Sequence, residues 1–488
     1  MNHQIRKFGL ALVVLFAAMF IQLNYLQVVR ADKLANDPGN SRNAVRDFGQ
    51  PRGRIITADG RVVAESYPNP KPSTDYQNLR RYPGGSLYGH ITGYFSFTYG
   101  STGIERRYNS VLAGHKTALT IRSLTDLLKS KTVTADVTLT VNNELQQFAA
   151  RQLRKRQGSI VVVDTRDGSV LAAVSYPSFD PNSFAGTNFV AIRETFTTLN
   201  RDPAKPMLAR SYRERYPPGS TMKVVTTAAG LDTKVAGPQT LYPVLRSLPL
   251  RFTKRPLRNF GGGACGGELA SAFRVSCNTS FAQLGLDLGG PKLAVAANGF
   301  GFNRKPPLDI SPGAAASNFP APDYFIRNDP QLAQAAIGQG QVSATTLEMA
   351  LVAAGIANGG VIKEPHFMKE VRDSEGAIVE SASSNDWLRA TTPETATEIT
   401  KMMVDVVQNG TGTRAAIKGV QVAAKTGTAQ TGRGTAHAWT IGFAPADTPR
   451  IAVAVIIENQ PDQGASTGGK IAAPIAREVL TKALGLTR

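Results

Sequence analysis

The chain opens on an apolar run from Phe8 to Ile21, which Leu23, Tyr25, Leu26, Val28 and Val29 extend to residue 29. As a helix, residues 8–29 reach about 33 Å, enough for a hydrocarbon core of ~30 Å. Arg6 and Lys7 precede the run, which keeps residues 1–7 in the cytoplasm and sends the rest outward. A cleaved signal peptide would need a small-x-small site, and Arg30-Ala31-Asp32 stands there instead. A single uncleaved membrane anchor over 8–29 is therefore expected. Gln22, Asn24 and Gln27 fall at its outer, interfacial end.

Residues 30–50 are polar and read as a linker. From Pro51 to Ala64, two short apolar runs flank an Asp59-Gly60 turn and predict a hairpin. Residues 30–135 together read as a small β-rich pedestal. The pattern changes at Asp136. Asp136 to Thr140 alternates as a strand, and 142–157 place Leu145, Phe148, Ala149 and Leu153 on one helix face. Ser159–Asp164 and Ser169–Val174 predict two strands around Arg166-Asp167-Gly168. Residues 176–215, rich in Pro, Asn and Arg, read mostly as loop.

Helices are expected from Ser220 to about Leu231, over 266–288 with a break near Ser276, and from Leu347 to Asn358. The prolines between 304 and 323 force a loop. Three strands follow at Val420–Ala429, Ala438–Ala444 and Ile451–Glu458. A Gly/Ser loop at 461–469 leads to a last helix over 471–485. Two early strands, central helices, three late strands and a closing helix predict an α+β domain over 136–488. Its antiparallel five-stranded sheet carries helices on both faces.

Composition changes this picture little. At 488 residues with 42% hydrophobic content, two domains with ample cores are expected. The net charge of +19 would suggest nucleic acid, but with the anchor it places a basic surface outside the cytoplasm, so no nucleic-acid partner is expected. The run Arg246, Arg251, Lys254, Arg255, Arg258 contains no acid. None of the five histidines sits at metal-ligand spacing, and no metal or cofactor is expected. His437, beside the strand of Trp439, is read as a surface residue rather than a border of the site. The only cysteines, Cys265 and Cys277, lie where a disulfide is permitted, and the short loop between them closes easily. The alternative is two buried thiols.

The chemistry concentrates in Tyr216-Pro217-Pro218-Gly219-Ser220-Thr221-Met222-Lys223. A turn feeds a helix, and residues three apart share a helix face, so Lys223 reaches Ser220. A serine needs a neighbouring base, and a lysine serves if its pKa is lowered. Alone, Ser-x-x-Lys is common. Here Ser276-Cys277-Asn278 and Lys425-Thr426-Gly427-Thr428 follow at domain-scale spacing.

This set resembles the class B penicillin-binding proteins, whose fold it implies. Arg52-Gly53-Arg54-Ile55 and Gly100 to Asn109 are similar to stretches of that family's non-catalytic domain. In layout the chain is closest to the family's actinobacterial A group. The resemblance implies a D,D-transpeptidase that cross-links peptidoglycan stem peptides and is trapped by β-lactams. It implies Ser220 as nucleophile, Lys223 as base and Ser276 as proton relay. Asn278 would orient Lys223 and bond the substrate. Lys425, with the hydroxyls of Thr426 and Thr428, would hold a carboxylate, and Gly427 would leave room for substrate beside the strand. The N–H groups of Ser220 and Thr428 would form the oxyanion hole. A polytopic glycan polymerase is the implied partner. A D,D-carboxypeptidase and a silent scaffold remain alternatives. The glutamate that activates water in class A β-lactamases has no counterpart between Glu268 and Glu348.

Overall fold

The computed structural model describes residues 2–31, 47–71, 76–114, 134–431, 434–460 and 467–486. Most of the linker read at 30–50 and part of the Gly/Ser loop at 461–469 lie outside the described residues. Helix α1 spans Asn2–Asn24 and continues as a wider turn over Tyr25–Val29. It is long and apolar enough to cross a membrane, and none of its window is buried.

The strands β1 (Ile55–Ile56) and β2 (Val62–Pro68) form the expected hairpin, with Ile55 opposite Ala64. Strand β3 (Asn78–Arg81) follows, then β4 (Asp136–Leu139) and helix α2 (Asn143–Leu153). Next come β5 (Gly158–Asp164) and β6 (Val170–Tyr176). Helices α3 (Phe189–Arg201), α4 (Lys223–Asp232), α5 (Leu269–Arg274), α6 (Asn278–Gly299) and α7 (Thr346–Ala357) occupy the centre. The chain ends with β7 (Met368–Arg372), β8 (Ile378–Ser381), β9 (Ala423–Gln430), β10 (Ala436–Ala444), β11 (Ile451–Gln460) and α8 (Gly468–Leu486).

Helix α3 corrects the reading of 176–215 as mostly loop. Asn188 caps it by accepting the N–H of Ala191. Ile192 is buried, and Phe189, Phe196 and Leu199 pack on Tyr94, Phe179 and Phe184. The helical spacing 189, 192, 196, 199 was present in the sequence beneath its polar composition.

The five-stranded sheet runs β9-β10-β11-β5-β6, antiparallel throughout. Successive residues of a strand point to opposite faces. Val161 and Val163 accordingly join the core shared with α4 and α7, while Ile160 and Val162 join the core under α2 and α8. Both faces are thus covered, and β9 is left as an edge.

A second sheet runs β8-β7-β4-β1-β2-β3, so it straddles residue 136 and takes two strands from beyond residue 360. Strand β4, read as the start of the catalytic region, pairs here with β1 and β7. Beneath this sheet Glu105 accepts from Arg52 at 3.0 Å and Arg80 at 2.5 Å, all three side chains being almost fully buried. Asp309 fastens the regions together: it accepts from Tyr108 Oη (2.7 Å) and from the N–H groups of Phe367 (2.6 Å) and Met368 (2.8 Å).

One buried carboxyl has no such partners. Glu348, in the first turn of α7, is fully buried, and neither carboxyl oxygen finds a hydrogen bond among the described residues. Burial pushes its pKa well above the usual carboxylate range. The folded state therefore keeps the proton that the unfolded chain releases near its ordinary value. Stability falls as pH rises from there toward the folded value, by about 1.4 kcal/mol per unit. The Glu348→Gln variant is expected to lose this slope: its melting temperature should exceed that of the wild type at pH 8 by several degrees more than at pH 4.5. Parallel curves for the two proteins would show that Glu348 does not titrate this way.

Candidate active site

Pro217 and Pro218 end the approach to a tight turn, Gly219–Met222, that leads directly into α4. Gly219 has φ +55°, and a Cβ there would come within 2.9 Å of the Thr428 carbonyl oxygen. Only glycine fits both demands. Its N–H donates to the Gly338 carbonyl at 2.9 Å, and the Thr221 hydroxyl closes back on Pro218 O at 2.7 Å. Trp439 Nε1 donates to Pro217 O at 3.0 Å, tying the turn to β10. Ser220 is thus held at a rigid corner, half-exposed, against the edge strand β9.

Lys223 is fully buried. Its Nζ donates to Ser276 O at 2.7 Å and to Asn278 Oδ1 at 2.8 Å, and it lies 3.2 Å from Ser276 Oγ. The ring of Phe281 is 5.3 Å from the amine. Burial first, and the neighbouring Lys425 second, push the Lys223 pKa well below its ordinary value. A neutral amine has two N–H donors, and two carbonyl oxygens take them at the shorter distances. Its lone pair is then left for a hydroxyl.

Lys425, fully buried in β9, donates to Ser276 Oγ at 2.9 Å and to Thr426 O at 3.1 Å. Burial lowers its pKa to about 7. Ser276 therefore sits between two amines. The structure brings together Lys223, Ser276, Asn278 and Lys425 directly, and sets Ser220 one turn ahead of Lys223.

The loop carrying Ser276 explains its position. Helix α5 ends at Arg274, and Ser276 takes φ +62°, a left-handed conformation that costs a non-glycine residue about 1 kcal/mol or more. Cys277 then caps α6 without a side-chain bond, and its sulfur joins Cys265 on the strand Cys265–Glu268. The cap is supplied from elsewhere: Asn259 Oδ1 accepts the N–H groups of Asn278 at 3.1 Å and Thr279 at 2.9 Å. Asn259 Nδ2 is fixed in turn by Leu245 O and Gly263 O. Asn259 has no signature in the chain, because a cap borrowed from a distant hairpin has no local spacing. Asn259→Ala is expected to cost about 0.5–2 kcal/mol of stability. It should also slow penicillin acylation by about tenfold through displacement of Asn278, the equivalent of ~1.4 kcal/mol. An unchanged acylation rate in a destabilised variant would confine Asn259 to a structural role.

One expectation is corrected, that of His437 as a surface residue. Thr426 is 5% exposed, and its hydroxyl is bonded to Thr411 Oγ1 at 2.7 Å. Thr428 is half-exposed, and its Oγ1 accepts the N–H of Gly468 at 3.3 Å. Gly427 makes room for the serine turn itself, since a Cβ there would meet Pro218 O and the Thr221 methyl, both at 3.0 Å. His437 is not a surface residue: it is 9% exposed, edge-on to Tyr216 at 5.3 Å, and its Nδ1 accepts the Asn459 N–H. Burial lowers its pKa. Tyr216 Oη and Arg210 Nε both donate to Glu458 Oε1 at 2.7 Å, bracing the approach to the serine turn.

A corner serine, a buried lysine of depressed pKa, a serine held between two amines and an edge strand with a second lysine define a serine acyltransferase of the penicillin-binding type. The chain belongs to the penicillin-binding protein transpeptidase family, whose domain matches residues 158–481; the penicillin binding protein A dimerisation domain matches residues 52–137. Among its relatives, Peptidoglycan D,D-transpeptidase PbpA of Mycolicibacterium smegmatis is 37% identical over 99% of both chains. PbpA of Mycobacterium tuberculosis is 35% identical over 99% of both. The ceftriaxone acyl-enzyme complex of penicillin-binding protein A from M. tuberculosis superposes with a TM-score of 0.83 at 34% identity, covering 90% of this chain and all of that one.

Proposed function

We propose that the chain is a membrane-anchored peptidoglycan D,D-transpeptidase working through an acyl-enzyme on Ser220. The observation that carries this is Lys223, desolvated, its two N–H groups occupied by Ser276 O and Asn278 Oδ1, one turn after the serine. Ser220 Oγ attacks the carbonyl between the two D-alanines and passes its proton to Lys223. Negative charge on the carbonyl oxygen develops against the N–H groups of Ser220 and Thr428. As the C–N bond breaks, the proton reaches the leaving D-alanine amine through Ser276, which touches both lysines. An amine of a second stem peptide then attacks the ester and gives its proton to Lys223, which returns it to Ser220 Oγ as the ester C–O bond breaks, leaving a new amide and free Ser220.

Lys425 and the half-exposed hydroxyl of Thr428 hold the terminal carboxylate in this scheme, and Asn278 bonds the substrate amide. The Thr426 hydroxyl, bonded to Thr411 Oγ1, braces β9 beside them. Residues 8–29 anchor the chain, 1–7 lie in the cytoplasm, and the acyl site works outside it. The N-terminal sheet is the surface offered to a polytopic glycan polymerase. β-Lactams acylate Ser220 in place of the dipeptide.

Intact-mass and peptide mapping of penicillin-treated full chain should place one adduct on the peptide containing Ser220. A D,D-dipeptide ester donor with a D-amino acid acceptor should give exchange product. Labelling elsewhere would refute the site, and hydrolysis without exchange would make the enzyme a carboxypeptidase.

A further inference from the structure

The C-terminal end of α2 and the N-terminal half of α8 border an open cavity of about 460 Å3 whose lining is distinct from that of the serine. Its apolar lining is Phe148, Ile471, Pro474 and Ile475. Its charged lining is cationic, with Arg154, Arg156, Lys470 and Arg477 against a single carboxylate, Glu478. That carboxylate is already engaged by Arg477 at 2.6 Å.

Arg156 is held in place by the end of α2. Helix α2 ends at Leu153, and Arg154 and Lys155 both take left-handed backbone (φ 49° and 61°), a turn that brings Arg156 back under the helix. Arg156 Nε and Nη2 donate to Leu153 O (3.1 Å) and Gln152 O (3.1 Å), carbonyls at the helix end. Its guanidinium is therefore oriented by backbone, with no carboxylate to neutralise it. Burial first, and the adjacent Arg154 second, lower its pKa. Arg154 itself is exposed and makes no ion pair among the described residues.

Like-charged guanidiniums gathered at the mouth of a cavity repel one another until an anion lies between them. Paired guanidiniums match the oxygens of a phosphate, which accepts forked hydrogen bonds. The apolar lining has no use for a bare ion. A volume of a few hundred Å3 and above suits a small organic ligand. We infer that this cavity is a second binding site, for an organic phosphate whose phosphoryl group meets Arg154 and Arg156 and whose carbon body lies on Phe148 and Ile471.

Such a phosphate comes either as a free ester or as the head group of a lipid. The test titrates the full chain, in neutral detergent, with glycerol 1-phosphate, with dispersed short-chain phosphatidylglycerol and with inorganic phosphate, followed by calorimetry and thermal shift. Saturable binding of the organic phosphates is expected, tighter than that of inorganic phosphate and weakened as salt rises. Tighter binding of the lipid identifies a head-group site; tighter binding of glycerol 1-phosphate identifies a free ester.

The Arg154→Gln/Arg156→Gln variant should bind at least tenfold more weakly, while its penicillin labelling, measured alongside, stays at the wild-type level. Arg156 also supports the end of α2, so Arg154→Gln alone, which removes no protein contact, serves as the second variant and should weaken binding several-fold. No saturable binding to wild type would overturn the inference. So would affinity for inorganic phosphate equal to that of the esters, or binding that survives Arg154→Gln and the double variant.

Discussion

Lys223→Met is expected to slow acylation by penicillin about 100- to 10,000-fold while the chain still folds. Methionine matches the length of lysine and suits the apolar surroundings of Phe281, so the change removes the base with little change in volume. The wild-type amine is active when neutral. Because burial and Lys425 depress its pKa, the neutral form is populated at lower pH than for an ordinary lysine, and activity is lost as pH falls through that depressed value. The variant should lack this acid limb. Stopped-flow acylation between pH 4 and pH 9, with circular dichroism to check folding, would settle the matter. A methionine variant acylated at the wild-type rate would mean that another group takes the Ser220 proton.

Lys425→Gln should act in two ways at once. It removes a charged hydrogen-bond donor for the substrate carboxylate, worth about 1.5–3 kcal/mol, or roughly 10- to 150-fold in acylation efficiency. It also removes a cation that lowers the pKa of Lys223, so the acid limb should move to higher pH. In the wild type, Lys425 loses its proton at about 7, and the efficiency of the free enzyme should decline as pH rises through that value. Lys425→Arg keeps the charge and should carry the plateau to higher pH. A wild-type profile flat from pH 6 to 9 would contradict the assignment.

Much of this was legible in the chain, for reasons that differ between elements. The strands β5, β10 and β11 are buried on both faces and read as near-continuous apolar runs. The break at Ser276 showed as a disruption of helical pattern. Other features had no local signature. The pairing of β4 with β1 and β7 joins segments more than 80 residues apart in one direction and more than 200 in the other, and strand pairing at that range leaves no periodicity. The cap that Asn259 lends to α6 is hidden for the same reason. The hydroxyls of Thr426 and Thr428 stood out in the motif as candidates for the site. Only the packing of Thr411 and Gly468 shows how much of each hydroxyl is left free.

The second sheet has a mechanical consequence. Its strands come from 55–81, 136–139 and 368–381, so the backbone enters and leaves it on both sides of the Ser220 and Ser276 motifs. The N-terminal part is laced to the rest rather than hinged on it. Tension arriving through the N-terminal apolar helix would be carried as shear across β1, β4 and β7, not absorbed by a swivel. A single cut between β3 and β4 would leave two fragments that stay annealed.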